Sequence, residues 1–291
     1  MKPIHIVLAI LVALCWGGNF SASKFAVLHF PPFMTTFIRY ALVALLLLPF
    51  TRMPERGWGQ LWVLANLTVV MHFGLVFVAI HMGLDVSSTV VAVQLGAPFT
   101  CILGAVFLKD RLGAWRITGM AIAFVGAMVV AGTPRVEAHL FAFGLACLGA
   151  LAWAITNIYM KRMGEVRILP LLAWTGLLSL PQVALIMWIF EGNPLDYVPT
   201  APWTAWVGIG YSAVFSTIVG YGCWYLLLRT YNVSQVAPFS LLVPVVGLLG
   251  GVYFFHEPLT NQMLAGGVLT LIGVAIINMR RPKLAATIDK L

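Results

Sequence analysis

Stretches of about twenty predominantly apolar residues, separated by short polar connectors, follow one another from end to end of the chain. A membrane-spanning helix needs about 20 such residues, and the runs fall at 4–28, 33–51, 58–81, 86–107, 113–132, 138–160, 168–190, 202–228, 234–255 and 261–279. The connectors carry most of the charge and the turn residues, among them Pro31-Pro32, Arg52-Met53-Pro54 and Gly192-Asn193-Pro194. None is long enough to fold into a separate catalytic domain. The first run is too long and too rich in large residues after Lys2 to be a cleaved signal peptide, and it reads as the first span. The pattern predicts an all-α integral membrane protein with ten transmembrane helices.

The chain is also written twice. Lys109-Asp110-Arg111-Leu112 and His256-Glu257-Pro258-Leu259 lie 147 positions apart, and the same offset pairs Ser87 with Ser234, Gly119 with Gly266 and Gly126 with Gly273. Trp16 precedes Lys24 by eight residues, as Trp153 precedes Lys161, with Asn19 and Asn157 within a turn of their tryptophans. The division falls at 1–134 and 135–291, five spans each. An odd number of spans per copy sends the second copy into the membrane from the opposite side. Such inverted-topology repeats belong mainly to transporters, whose site lies at the pseudo-twofold interface.

Composition agrees: 61% of the 291 residues are hydrophobic and 9% charged, with a mean hydropathy of +0.97, beyond what a soluble domain of this size could solvate. With the N-terminus inside, Lys2, Arg52, Arg56, Lys109, Arg111, Arg116, Lys161, Arg162, Arg167, Arg229, Arg280, Arg281, Lys283 and Lys290 are cytoplasmic, against Arg135 outside. This positive-inside bias places both termini in the cytoplasm and accounts for the net charge of +8 without nucleic acid. Cys15, Cys101, Cys147 and Cys223 fall inside spans without metal-ligand spacing, so neither disulfide, metal nor cofactor is expected.

Charged groups persist at the bilayer centre mainly for function, and every Asp and Glu here falls in a connector or tail. That speaks against proton-coupled efflux of cationic drugs through a membrane-embedded acid, and against paired-carboxylate catalysis. The mid-span groups are neutral: His72, Gln94 and Ser240 lie near the middles of their helices, and Thr217, Tyr221 and Trp224 follow helical spacing along the eighth. Hydroxyl, amide and imidazole groups can hydrogen-bond the ends of a zwitterion while aromatic faces take an apolar side chain. Trp16, Asn19, His72, Gln94, Trp153, Asn157, Tyr221, Trp224 and Ser240 are the candidate substrate-binding residues. Interhelical glue is the competing role for any one of them.

Two cations sit within spans. Lys24 is near the outer end of its helix, where its stem can snorkel to the interface. Arg39 lies about 10 Å beyond Pro32, without a basic counterpart in the seventh helix, and is expected to face protein or a water-filled vestibule, pairing with carbonyls or orienting a carboxylate. Pro98 and Pro244 occupy corresponding helices and are expected to open carbonyls toward the cavity or to bend the helices. The glycines of the fifth and tenth spans mark the expected seam between the halves.

Trp16-Gly17-Gly18-Asn19-Phe20, Pro31-Pro32 followed by Arg39-Tyr40, and Ala237-Pro238-Phe239-Ser240-Leu241-Leu242-Val243-Pro244-Val245 running into His256-Glu257-Pro258-Leu259 together resemble the EamA family of the drug/metabolite transporter superfamily over nearly the whole chain. The resemblance implies a ten-helix transporter of the bacterial inner membrane, with relatives exporting amino acids or related metabolites; exporters of the YddG type favour aromatic ones. The first helix departs from small multidrug relatives in lacking their glutamate. The expected function is export or facilitated diffusion of small zwitterionic metabolites by alternating access, the protein working as a monomer. Efflux of amphipathic drugs or nucleotide-linked metabolites is the alternative. An intramembrane hydrolase using Ser and His72 is the rival from another class, without a Gly-x-Ser-x-Gly or His-Glu-x-x-His motif to support it. If transport is proton-coupled, His72 is the candidate carrier, its ordinary pKa being about 6.5; the absence of an acidic partner favours a facilitator.

Overall fold

The computed structural model describes residues 1–54, 57–110, 112–164, 166–231 and 233–279. Arg56, Arg111, Arg280, Arg281, Lys283 and Lys290, counted above toward the inner face, lie outside the described residues. Among the described residues, ten helices are long and apolar enough to cross a membrane: α1 Pro3–Val27, α2 Pro32–Phe50, α3 Trp58–His81, α4 Val86–Leu108, α5 Ala114–Ala131, α6 Leu140–Met163, α7 Ile168–Phe190, α8 Trp203–Thr230, α9 Pro238–Phe255 and α10 Asn261–Asn278. They match the sequence runs to within a few residues. Pro3 and Pro32 open α1 and α2 at the first turn, where the missing N–H costs nothing. A short helix, Pro134–Glu137, joins the halves.

Three irregularities recur at equivalent places in the two halves. The first is a π-helical stretch in α3, Asn66–Gly74, matched by Ser212–Gly220 in α8. The second is a break in α4 at Leu95 and in α9 at Leu241, where the N–H turns back to Ala92 O at 3.1 Å and to Pro238 O at 3.2 Å. Pro98 and Pro244 follow three residues later, each removing the helical donor to the carbonyl four residues before it. The third is a left-handed residue ending each broken helix, Lys109 at φ 57° and His256 at φ 50°.

The halves meet along α5 and α10 as the glycine spacing predicts. A Cβ on Gly119 would lie 2.8 Å from Gly273 O, and one on Gly266 2.7 Å from Gly126 O; backbone touches backbone. Gly126→Val is therefore expected to destabilise the protein by about 1–3 kcal/mol and to lower its melting temperature in detergent. An unchanged melting temperature would show that the seam can part. Besides forming the seam, α10 contributes Val274, Ile277 and Asn278 to the wall of a central cavity.

Candidate functional site

A cavity of about 430 Å³ lies between the halves, within the range of small-molecule sites. Its walls come from α1, α3, α4, α6, α8, α9 and α10, and Trp16, Asn19, His72, Gln94, Trp153, Asn157, Tyr221 and Ser240 all line it. Trp224 does not: it lines an adjoining space of about 270 Å³, which shares Trp16, Trp153, Asn157 and Tyr221 with the first. Among the described residues, no Lys, Arg, Asp or Glu lines either space.

The tryptophans and Tyr221 form a row of rings crossing from one half to the other. Ring centroids are 5.3 Å apart for Trp224 and Trp16, 5.1 Å for Trp16 and Tyr221, 6.3 Å for Tyr221 and Trp153, and 5.1 Å for Trp153 and His72. Trp16 Nε1 donates to Ser216 O at 3.1 Å, inside the π stretch of α8. His72, inside the π stretch of α3, bonds through Nδ1 to Gly149 O of α6 at 2.9 Å. A carbonyl only accepts, so in the neutral ring Nδ1 carries the proton and Nε2 is left as an acceptor. Asn157 Nδ2 donates to Thr100 Oγ1 at 3.4 Å, while Asn19 Oδ1 is buried with no hydrogen-bond partner among the described residues.

Helical spacing misplaced one residue. Thr217 was aligned with Tyr221 and Trp224, yet it turns away from the cavity and Ser216 lines it instead. The π stretch inserts an extra residue into the turn, so the face that reaches Tyr221 starts five residues earlier. Phe20, Ser23, Phe73 and Phe77 also line the cavity; they lie within five residues of Trp16, Asn19 or His72, and that proximity was the available signal.

Of the two surroundings expected for Arg39, protein or a water-filled vestibule, the structure shows protein. Its side chain is fully buried, and its partner is a hydroxyl rather than a carbonyl or carboxylate: Nη2 and Nε donate to Thr217 Oγ1 at 2.9 and 3.3 Å. The guanidinium carbon stands 4.2 Å from the centre of the Phe73 ring. The charge thus bridges the two π stretches, one layer behind the cavity wall made by Phe73 and Tyr221, with Nη1 unpartnered among the described residues. The cations that do line an open vestibule are Arg167 and Arg229, around a space of about 750 Å³.

Lys24 departs from the snorkelling expectation. Its Nζ lies 2.9 Å from Glu257 Oε1 and 4.6 Å from the centre of the Phe255 ring. Glu257 also accepts from Val86 N at 2.7 Å, Ser87 N at 2.9 Å and Ser87 Oγ at 2.6 Å, capping the start of α4. Burial works to raise its carboxyl, but the bonds from Ser87 and Lys24 outweigh it and hold it below the ordinary carboxylate range. Glu191 closes the start of α2 in the same manner, accepting from Phe33 N and Met34 N at 2.6 and 2.8 Å. There burial prevails and lifts the carboxyl, the two bonds pulling the other way.

A two-fold helical bundle enclosing an uncharged cavity behind a polar-capped end defines the class: a multi-pass membrane transporter. The profile of the EamA-like transporter family matches residues 3–132 and again 140–279, and the chain belongs to that family. A Salmonella typhimurium protein described as a probable amino-acid metabolite efflux pump is 32% identical over 92% of this chain and 93% of its own length. The Escherichia coli protein of the same description is 31% identical over 93% of each. A crystal structure covering 95% of this chain and 96% of its own superposes with a TM-score of 0.63 at 15% identity, a likeness of fold.

Proposed function

We propose that the protein exports, or lets run down its gradient, small zwitterionic metabolites, foremost amino acids with apolar or aromatic side chains. The observation that carries this reading is the uncharged, ring-lined cavity with a cation one layer behind it. The rings accept an apolar side chain; His72 Nε2 and the amides of Gln94 and Asn19 serve the ammonium end; the field of Arg39 favours the carboxylate end. The same lining disfavours nucleotide-linked sugars, whose phosphates need cations at the wall. The relatives' descriptions as amino-acid metabolite efflux pumps support the substrate class, and transporter relatives give the hydrolase reading no support.

The protein sits in the bacterial inner membrane with both termini inside, Lys109 and Lys161 at the cytoplasmic face and Glu257 at the outer, and a single chain encloses the whole path. The inverted halves rock about the α5–α10 seam. Counterflow in proteoliposomes tests the reading: preloaded phenylalanine or leucine is expected to drive uptake of labelled amino acid, with no accumulation under an imposed pH gradient. Gradient-driven accumulation abolished by His72→Gln would instead make His72 a proton carrier, and no exchange of any amino acid would overturn the substrate class.

A further inference from the structure

The same turn is built at both ends of the path. α4 ends on left-handed Lys109 and α9 on left-handed His256, and the next N–H bonds back to Gly104 O at 3.2 Å and to Gly251 O at 3.3 Å. These turns fold Asp110 and Glu257 back over Gly104 and Gly251, where a Cβ would meet each carboxylate. A lysine faces each, Lys161 and Lys24, at matching distances from Trp153 and Trp16.

The two copies are in different states. Lys24 and Glu257 lie 2.9 Å apart with side chains 14% and 3% exposed, and Glu257 grips the first turn of α4. Lys161 and Asp110 lie 3.3 Å apart with side chains 60% and 43% exposed. The open spaces follow the loose copy. The 270 Å³ space shares Tyr221 with the central cavity, and shares Met160, Ile168, Leu171, Tyr225 and Leu228 with the vestibule at the Lys161 end.

We infer that Glu257 and Asp110 are the paired gates of the path, Glu257 sealing one end by holding Lys24 to the start of α4, and Asp110 making the equivalent seal with Lys161 and the start of the helical segment Val233–Ser240 that leads into α9 once the halves rock. This rests on the alternating-access reading above. Glu257 holds the segment Val86–Gln94 of α4 and Asp110 follows the segment Gly96–Leu108. Leu95, beside the cavity, is therefore the joint between a gripped segment and a released one. α9 carries the mirror arrangement, with its joint at Leu241. Because one rocking motion sets both segments, closing one carboxylate frees the other.

The test uses the full-length protein with its four cysteines replaced and Ser23→Cys as reporter, since Ser23 lines the cavity between the ring row and the Glu257 end. A membrane-impermeant maleimide is added from each side. Glu257→Gln is expected to speed labelling from the Glu257 side at least tenfold. Lys24→Gln, which keeps the caps on Val86 and Ser87, is expected to speed it about threefold and carries the test should Glu257→Gln not fold. Asp110→Asn is expected to leave labelling from that side at or below the parent rate. Unchanged labelling in both outer-end variants overturns the gate. So does equal acceleration at a core reporter, Ala146→Cys, which would mean general loosening. Labelling that shifts as expected in a protein that exchanges no amino acid keeps the gate and removes the substrate assignment; exchange without the shift does the reverse.

Discussion

His72→Ala and Gln94→Ala are expected to slow amino-acid transport about 5- to 150-fold at matched expression, the span of a lost hydrogen bond worth about 1–3 kcal/mol when its partner is stranded in the cavity. His72 carries the larger effect, because its loss removes an acceptor facing the cavity, strands Gly149 O and takes away the ring that packs against Trp153. Initial rates of counterflow measure it, and a conformation-sensitive protease ladder confirms that the variants fold. Transport at the parent rate in both would assign the two residues to packing and displace the site.

Arg39→Met should fold, since an apolar side chain of similar volume replaces a buried charge at little net cost, but it should lose its choice of substrate. A cation about 8 Å from a carboxylate, at an effective dielectric of about 20, attracts it by about 2 kcal/mol, or roughly 30-fold in affinity. The parent is therefore expected to prefer an amino acid over its amide by about that factor, Arg39→Met to treat them alike, and Arg39→Lys to keep part of the preference. Competition of each amide with its amino acid in counterflow reads the ratio. A preference undiminished in Arg39→Met would place the carboxylate elsewhere.

The ten spans and the doubled design were legible because lipid leaves the backbone few options and because the repeat carries its own register. Glycine spacing likewise announced the α5–α10 seam, where only a missing Cβ permits contact. Lys24 and Arg39 were harder. Each was judged by its depth along one helix, whereas its surroundings come from residues more than 170 positions away, Glu257 and Thr217. The Glu257 cap was hidden for the same reason: a connector carboxylate reads as solvated until the fold brings the start of α4 against it. The π stretches have no hydrophobic signature that distinguishes them from α-helix, so α spacing chose Thr217 over Ser216.

If the substrate is the zwitterion proposed above, the lining also bears on what powers the carrier. Moving one elementary charge across a membrane at 100 mV is worth about 2.3 kcal/mol, but a zwitterion passing walls that hold no Lys, Arg, Asp or Glu among the described residues carries no net charge through the field. On that facilitator reading voltage does no work on the cycle, and a metabolite is discharged only until the two sides are level. The protein would then serve as an overflow outlet, opening onto dilute surroundings and idle in concentrated ones.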